Sequence, residues 1–167
     1  RGIETVTYVL EGTVDHGDSL GNSGSIGPDD IQWMTAGSGI IHEEMPKGDT
    51  NRGFQLWVNL PAAHKMTDPA YRGLTKNEIP EIVRNDGSRI RVICGDVDGT
   101  AGPIAGLKVA VQYLDIALPK GTSFDREVPP SHNSFVFVFE GAGAFGPAPG
   151  ANVKAVSVAL FGDEGQL

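Results

Sequence analysis

The run Glu4-Thr5-Val6-Thr7-Tyr8-Val9-Leu10-Glu11-Gly12 lines up with Asn133-Ser134-Phe135-Val136-Phe137-Val138-Phe139-Glu140-Gly141. Each copy is a β-branched or aromatic stretch closed by Glu-Gly, which is the composition of a strand running into a turn. A looser match joins Ile26-Gly27-Pro28-Asp29 to Phe161-Gly162-Asp163-Glu164. Such a repeat predicts two similar units. The 23 Gly and 11 Pro punctuate them into short strands with little helix. The expectation is an all-β chain with one unit over residues 1–100 and a second over 101–167. The boundary falls near 95–107, in a Gly-rich stretch. Pro61 to Pro80 reads as a connection with a short helical tendency from Thr67 to Thr75. The chain opens inside one strand pattern and stops before the second copy is complete, so both units are expected to be truncated.

The chemistry-bearing stretch is Gly37-Ser38-Gly39-Ile40-Ile41-His42-Glu43-Glu44-Met45-Pro46. In an extended strand alternate side chains share a face, which sets Ile40, His42 and Glu44 against Ile41, Glu43 and Met45. An imidazole beside a carboxylate is half a site for Fe(II), Mn(II), Zn(II) or Ni(II). The same residues would also serve as a solvated strand edge. In the first strand Val6, Tyr8 and Leu10 form the apolar set, which turns Glu4 inward with them. An inward carboxylate needs a partner or a pocket. In Phe54-Gln55-Leu56-Trp57-Val58-Asn59 alternation puts Gln55 and Trp57 on one face, and either face could be core. Gln55 and Trp57 are therefore aromatic packing or pocket residues. His16, His64 and His132 read as turn or surface histidines.

Four blocks in order carry a resemblance: Arg1-Gly2 with Glu4 through Gly12, Asp18-Ser19-Leu20-Gly21-Asn22, Ile31 through Pro46, and Phe54 through Pro61. Together they resemble the pirin family of the cupin superfamily. The likeness continues through Lys65-Met66, Ile79-Pro80, Tyr113-Leu114-Asp115 and Phe135 to Gly141. It implies two double-stranded β-helix (cupin) barrels in tandem, the first holding one non-haem iron through three His and one Glu. His42 and Glu44 match the second half of the family's metal motif. Its first half, His-x-His, would fall one and three positions ahead of Arg1. The general cupin pattern would enlist Glu4, which pirin-like proteins do not count as a ligand, so Glu4 stands as a pocket group or a partner to a ligand. The second copy has Glu127 and Pro129 opposite the His pair and His132 opposite Ile3, so that barrel is expected to lack metal.

The resemblance further implies a quercetin 2,3-dioxygenase type of activity, in which a flavonol is opened by O2. Glu44 would be both ligand and proton acceptor, Fe(II) the metal, and other divalent transition metals alternatives. A second implied role is a redox-responsive transcriptional co-regulator acting through protein partners. Composition constrains both. A net charge of −8 disfavours direct binding to the phosphate backbone, and no run of apolar residues is long enough for a membrane helix. The single Cys94 allows no intrachain disulfide, consistent with a cytoplasmic or nuclear setting, and its apolar surroundings predict a buried strand residue.

Overall fold

The computed structural model describes residues 1–146 and 150–162. Asp163 and Glu164 of the looser repeat lie outside the described residues. The chain divides into two compact units, the first ending at Ala117 and the second beginning at Leu118.

The first unit contains β1 (Ile3–Asp18), β2 (Ser23–Ile26), β3 (Ile31–Thr35), β4 (His42–Asn59), β5 (Ala70–Leu74), β6 (Glu81–Val83), β7 (Arg89–Cys94), β8 (Asp96–Val97), β9 (Thr100–Ala101) and β10 (Tyr113–Ala117). One sheet runs β2-β1-β3-β5, with β4 on the other edge of β1, and a second runs β10-β7-β6. All pairings between these strands are antiparallel. The long β1 organises the first sheet. Its N-terminal half lies between β3 and β4, with Tyr8 opposite both Ile31 and Phe54. Its C-terminal half lies between β2 and β4, with Val14 opposite Ile26 and Pro46.

The connections follow local side-chain chemistry. Asp18 Oδ1 accepts the backbone N–H groups of Leu20 (2.8 Å) and Asn22 (3.0 Å), closing the turn between β1 and β2. Asp30 Oδ2 accepts the Gly27 N–H at 3.0 Å, while Asp29 takes a left-handed conformation with φ of 67°. Asp, Asn and Gly tolerate such conformations and cap their own backbone, as this turn requires.

Val6, Tyr8, Ile31, Trp33, Leu74, Ile79, Ile93, Cys94 and Ile104 form the core, drawn from both sheets. Phe54, Leu56 and Val58 pack against it. This decides which face of that segment is core and leaves Gln55 and Trp57 on the other. The two sheets are also tied by polar groups. The Tyr8 hydroxyl donates to Asp115 Oδ2 at 2.7 Å and accepts from Arg91 Nη1 at 2.9 Å, while Arg91 pairs with Asp29 at 3.2 Å.

Two expectations change here. The Pro61–Pro80 stretch is not a connection with a helical turn at 67–75. Ala70–Leu74 is β5, paired with β3 in register Ile31 to Leu74, and Leu74 and Ile79 are 4% and 5% exposed. Tertiary pairing overrides a weak local tendency, and within this stretch helix-like geometry is confined to short 3₁₀ turns at Ala62–His64 and Lys76–Glu78. Residues 101–117 lie with the first unit because β10 pairs with β7. Cys94 is buried in β7.

The second unit contains β11 (Phe135–Val138), β12 (Ala142–Phe145), β13 (Ala151–Lys154) and β14 (Ser157–Leu160). They pair as β11 with β14 and β12 with β13, both antiparallel. β11 is thus the counterpart in sequence of the N-terminal half of β1. His132 lies in a turn, where its N–H donates to the Pro129 carbonyl at 2.9 Å.

Candidate functional site

Glu44 is the centre of a hydrogen-bonded cluster on β1 and β4. The Thr7 hydroxyl donates to Glu44 Oε1 at 2.8 Å. Gln55 Nε2 donates to Glu44 Oε2 at 3.1 Å and reaches the Thr7 hydroxyl at 3.3 Å. Trp57 Nε1 in turn donates to Gln55 Oε1 at 3.0 Å. Thr7 and Gln55 are direct partners across the β1–β4 ladder, as are Thr5 and Trp57, so these side chains share the face turned away from the core. Glu44 reaches them from farther along the ladder, where its own partner is His16. The approach is possible because β1 carries two register shifts, between Val9 and Glu11 and between Glu11 and Thr13. Such bulges bend a strand and re-aim side chains.

His42 begins β4 directly opposite Asp18, and His16 sits directly opposite Glu44. By the ladder's alternation His16, Asp18, His42 and Glu44 share one face. Their availability differs. Asp18 is committed to its turn, accepting Leu20, the Asn22 backbone and Asn22 Nδ2. Burial pushes the Asp18 carboxyl upward, but these donors outweigh it and hold the group below its ordinary range. His16 is committed to Tyr71, with Nε2 at 2.9 Å from the tyrosine hydroxyl and the rings stacked at 5.0 Å. Among the described residues no three His, Cys, Asp or Glu side chains are placed to hold a metal together. His42 and Glu44 supply an imidazole and a carboxylate, a donor type that suits a divalent transition metal. In number they are two.

Glu4, Gln55 and Trp57 separate into two places. Gln55 and Trp57 join the Glu44 cluster. Glu4 points inward as expected, but to the other face of β1, where it is 2% exposed and accepts Trp33 Nε1 at 3.2 Å and Thr35 Oγ1 at 2.8 Å. Its partners are the core residue Trp33 and the half-buried Thr35, and none of its hydrogen bonds goes to the Glu44 cluster. Glu43 is exposed. His16 is a correction: read as a surface histidine, it is 7% exposed, with Nδ1 buried and unpartnered. Its burial depends on Tyr71 of β5, a strand that the sequence reading did not place in the sheet. Thr7 was also missed, although its odd position in β1 already opposed it to the apolar set Val6, Tyr8 and Leu10.

An all-β fold of antiparallel strands, with His-x-Glu entering the strand that pairs along the repeat-bearing β1, defines a protein of the cupin class. Residues 1–58 match the family profile described as Pirin. A pirin-like protein of Caulobacter vibrioides is 51% identical over 144 residues, 84% of this chain and 52% of its own length. A solved structure from Geobacillus kaustophilus aligns with a TM-score of 0.87 at 42% identity, covering 96% of this chain and 64% of that one. A quercetin 2,3-dioxygenase from Acinetobacter baumannii aligns with a TM-score of 0.87 at 37% identity, covering 99% of this chain and 59% of its own. The chain belongs to the pirin family. It spans about half the length of the curated relatives it matches.

Proposed function

We propose that this chain contributes His42 and Glu44 to the metal centre of an oxygenase of the quercetin 2,3-dioxygenase type. The observation that carries the reading is the fixed carboxylate of Glu44, held by Thr7 and Gln55 on the strand that opens with His42. Two further imidazoles would come from the family's His-x-His, one and three positions ahead of Arg1. Fe(II) is the metal of choice, and when bound it would supply Lewis-acid activation of a substrate hydroxyl and electrons for reaction with O2.

The chain's own part is to hold and move a proton. Gln55 Nε2 can only donate, so Glu44 Oε2 must remain an acceptor. Thr7 Oγ1 can donate or accept. A proton taken from a flavonol hydroxyl therefore belongs on Glu44 Oε1, with the Thr7 hydroxyl turning to receive it. Trp57 fixes the amide orientation through Gln55 Oε1. Glu44 so placed is a general base with its protonated form already provided for.

The test compares the chain as it stands with the chain preceded by a His-x-His segment. About one Fe(II) per chain and O2 uptake with quercetin are expected of the extended form, and little retained metal of the shorter one. Equal, tight loading of both would overturn the ligand assignment. Loading without quercetin turnover would favour the metal-responsive co-regulator, with protein partners in place of substrate.

A further inference from the structure

The bend in β1 does more than re-aim Glu44. Gly12 has φ of 85°, and a side chain there would collide with the Thr50 carbonyl and Asn51. A side chain at Gly53 would collide with the Tyr8 carbonyl. Between these strands lies an open cleft of about 190 Å³ lined by, among others, Thr7, Val9, Glu11, Glu44, Arg52 and Gln55, with Gly53 in its wall. It combines apolar wall with a few placed polar groups, room for part of a small ligand such as one ring and its substituents.

Arg52 is the one cation in that lining. Its single ion pair among the described residues is with Glu11, Nε to Oε2 at 3.9 Å, with the side chains 57% and 54% exposed. An exposed pair at this distance holds the guanidinium only weakly. The terminal amino groups of the fork, which read carboxylates and phenolates through paired hydrogen bonds, stay available. Glu44 in the same lining is an acceptor that calls for a donor hydroxyl.

We propose that Arg52 determines substrate specificity, selecting a hydroxylated aromatic anion whose carboxylate or phenolate pairs with Arg52 while a hydroxyl is presented to Glu44. The assignment rests on the functional reading above for the role of Glu44, and adds to it the charge of the ligand. Glu11 competes with that ligand for Arg52.

The probes are 3-hydroxybenzoate and its neutral counterpart 3-hydroxybenzamide, titrated into the 167-residue chain by ligand-observed NMR. A preference for the acid of about tenfold is expected, declining with added salt as a screened charge contact should. Arg52→Gln should abolish the preference by weakening the acid and leaving the amide unchanged. Arg52→Lys should retain part of it, and Glu11→Gln should enlarge it. A ratio unchanged by Arg52→Gln, or no preference in the unaltered chain, overturns the proposal. Arg52 is exposed, so circular dichroism of the variant should match the parent. Metal retention by the His-x-His-extended chain and its Glu44→Gln variant is measured in parallel. If Glu44 proves irrelevant to metal while the acid preference persists, the functional reading falls and Arg52 remains an anion selector. The opposite pattern removes Arg52 alone.

Discussion

Glu4 and Glu44 reach opposite faces of the same strand. Glu4 is paired with Thr35 across β1 and β3 and takes the Trp33 indole within the core. Glu44 takes the Thr7 hydroxyl from the other side. Since residues 4 and 7 lie in an unbroken stretch of β1, alternation puts the sheet itself between the two carboxylates. One carboxylate serves the core and the other the Thr7–Gln55 cluster on the opposite face.

It follows that substitutions at the two sites should affect different measurements. Glu4→Ala strands the buried Trp33 N–H and should cost about 1–3 kcal/mol for that donor, read as a lower midpoint in urea. Glu4→Gln keeps one acceptor oxygen and should cost less. Neither should change metal retention by the His-x-His-extended chain. Loss of metal in Glu4→Gln at full stability would instead bring Glu4 into the metal centre.

Much of this arrangement was legible in the sequence. The inward turn of Glu4 and the shared face of Gln55 and Trp57 follow from period-two alternation, which a strand enforces wherever one side is covered, while the burial of Cys94 follows from the continuous apolar run around it. Alternation cannot say which covered side faces which neighbour. Glu4 reads as a paired carboxylate or a pocket group because it shares the face of Val6, Tyr8 and Leu10, and alternation cannot choose between the two where both faces of β1 are buried, as Thr5 and Thr7 at 6% and 8% exposure show. His16 and Tyr71 illustrate the same limit at longer range. Their contact needs β5 in the sheet, and Ala70-Tyr71-Arg72-Gly73-Leu74 carries too few β-formers to announce a strand alone.

His16 and Tyr71 give the second prediction. Tyr71→Phe keeps the ring stack and deletes one hydrogen bond, which should cost about 0.5–1.5 kcal/mol. His16→Ala deletes the stacked imidazole as well and leaves the Tyr71 hydroxyl without its partner, so its cost should be larger, about 1–3 kcal/mol. Denaturant melts of the two variants rank them. Equal losses would mean that the stack contributes nothing beyond the hydrogen bond.

The three tyrosines should give the folded chain a distinctive alkaline titration. Burial raises Tyr113, assisted by the nearby Asp115 charge, from 10.0 to about 12. Tyr8 is raised further by burial and by its hydrogen bond to Asp115, with Arg91 opposing, and Tyr71 is raised by burial and the Asp18 charge. A raised phenol keeps its proton in the fold while the unfolded chain releases it near 10.0. Above that pH the folded state binds more protons, so stability present at lower pH is lost as pH rises toward the folded values. Tyrosinate absorbance at pH 10 should therefore be clearly lower in buffer than in urea. Equal ionisation at pH 10 in buffer and in urea would contradict their burial.

The neighbours Glu43 and Glu44 supply the sharpest contrast. Glu43 is exposed, whereas Glu44 is fixed by Thr7 and Gln55. In the His-x-His-extended chain, Glu44→Gln removes the anionic donor and the proposed proton acceptor at Oε1. Quercetin cleavage should fall by roughly 10²-fold or more, the scale of a lost general base, and bound metal should fall with it. Glu43→Gln should change stability by no more than about 0.5 kcal/mol, as surface substitutions do, with turnover near that of the parent. Thr7→Val separates the two roles of Glu44, because it removes the hydroxyl that accommodates the proton and leaves the carboxylate in place. It should retain metal while slowing turnover. Equal loss of metal and turnover in Thr7→Val would assign Thr7 to holding the ligand and remove it from proton transfer.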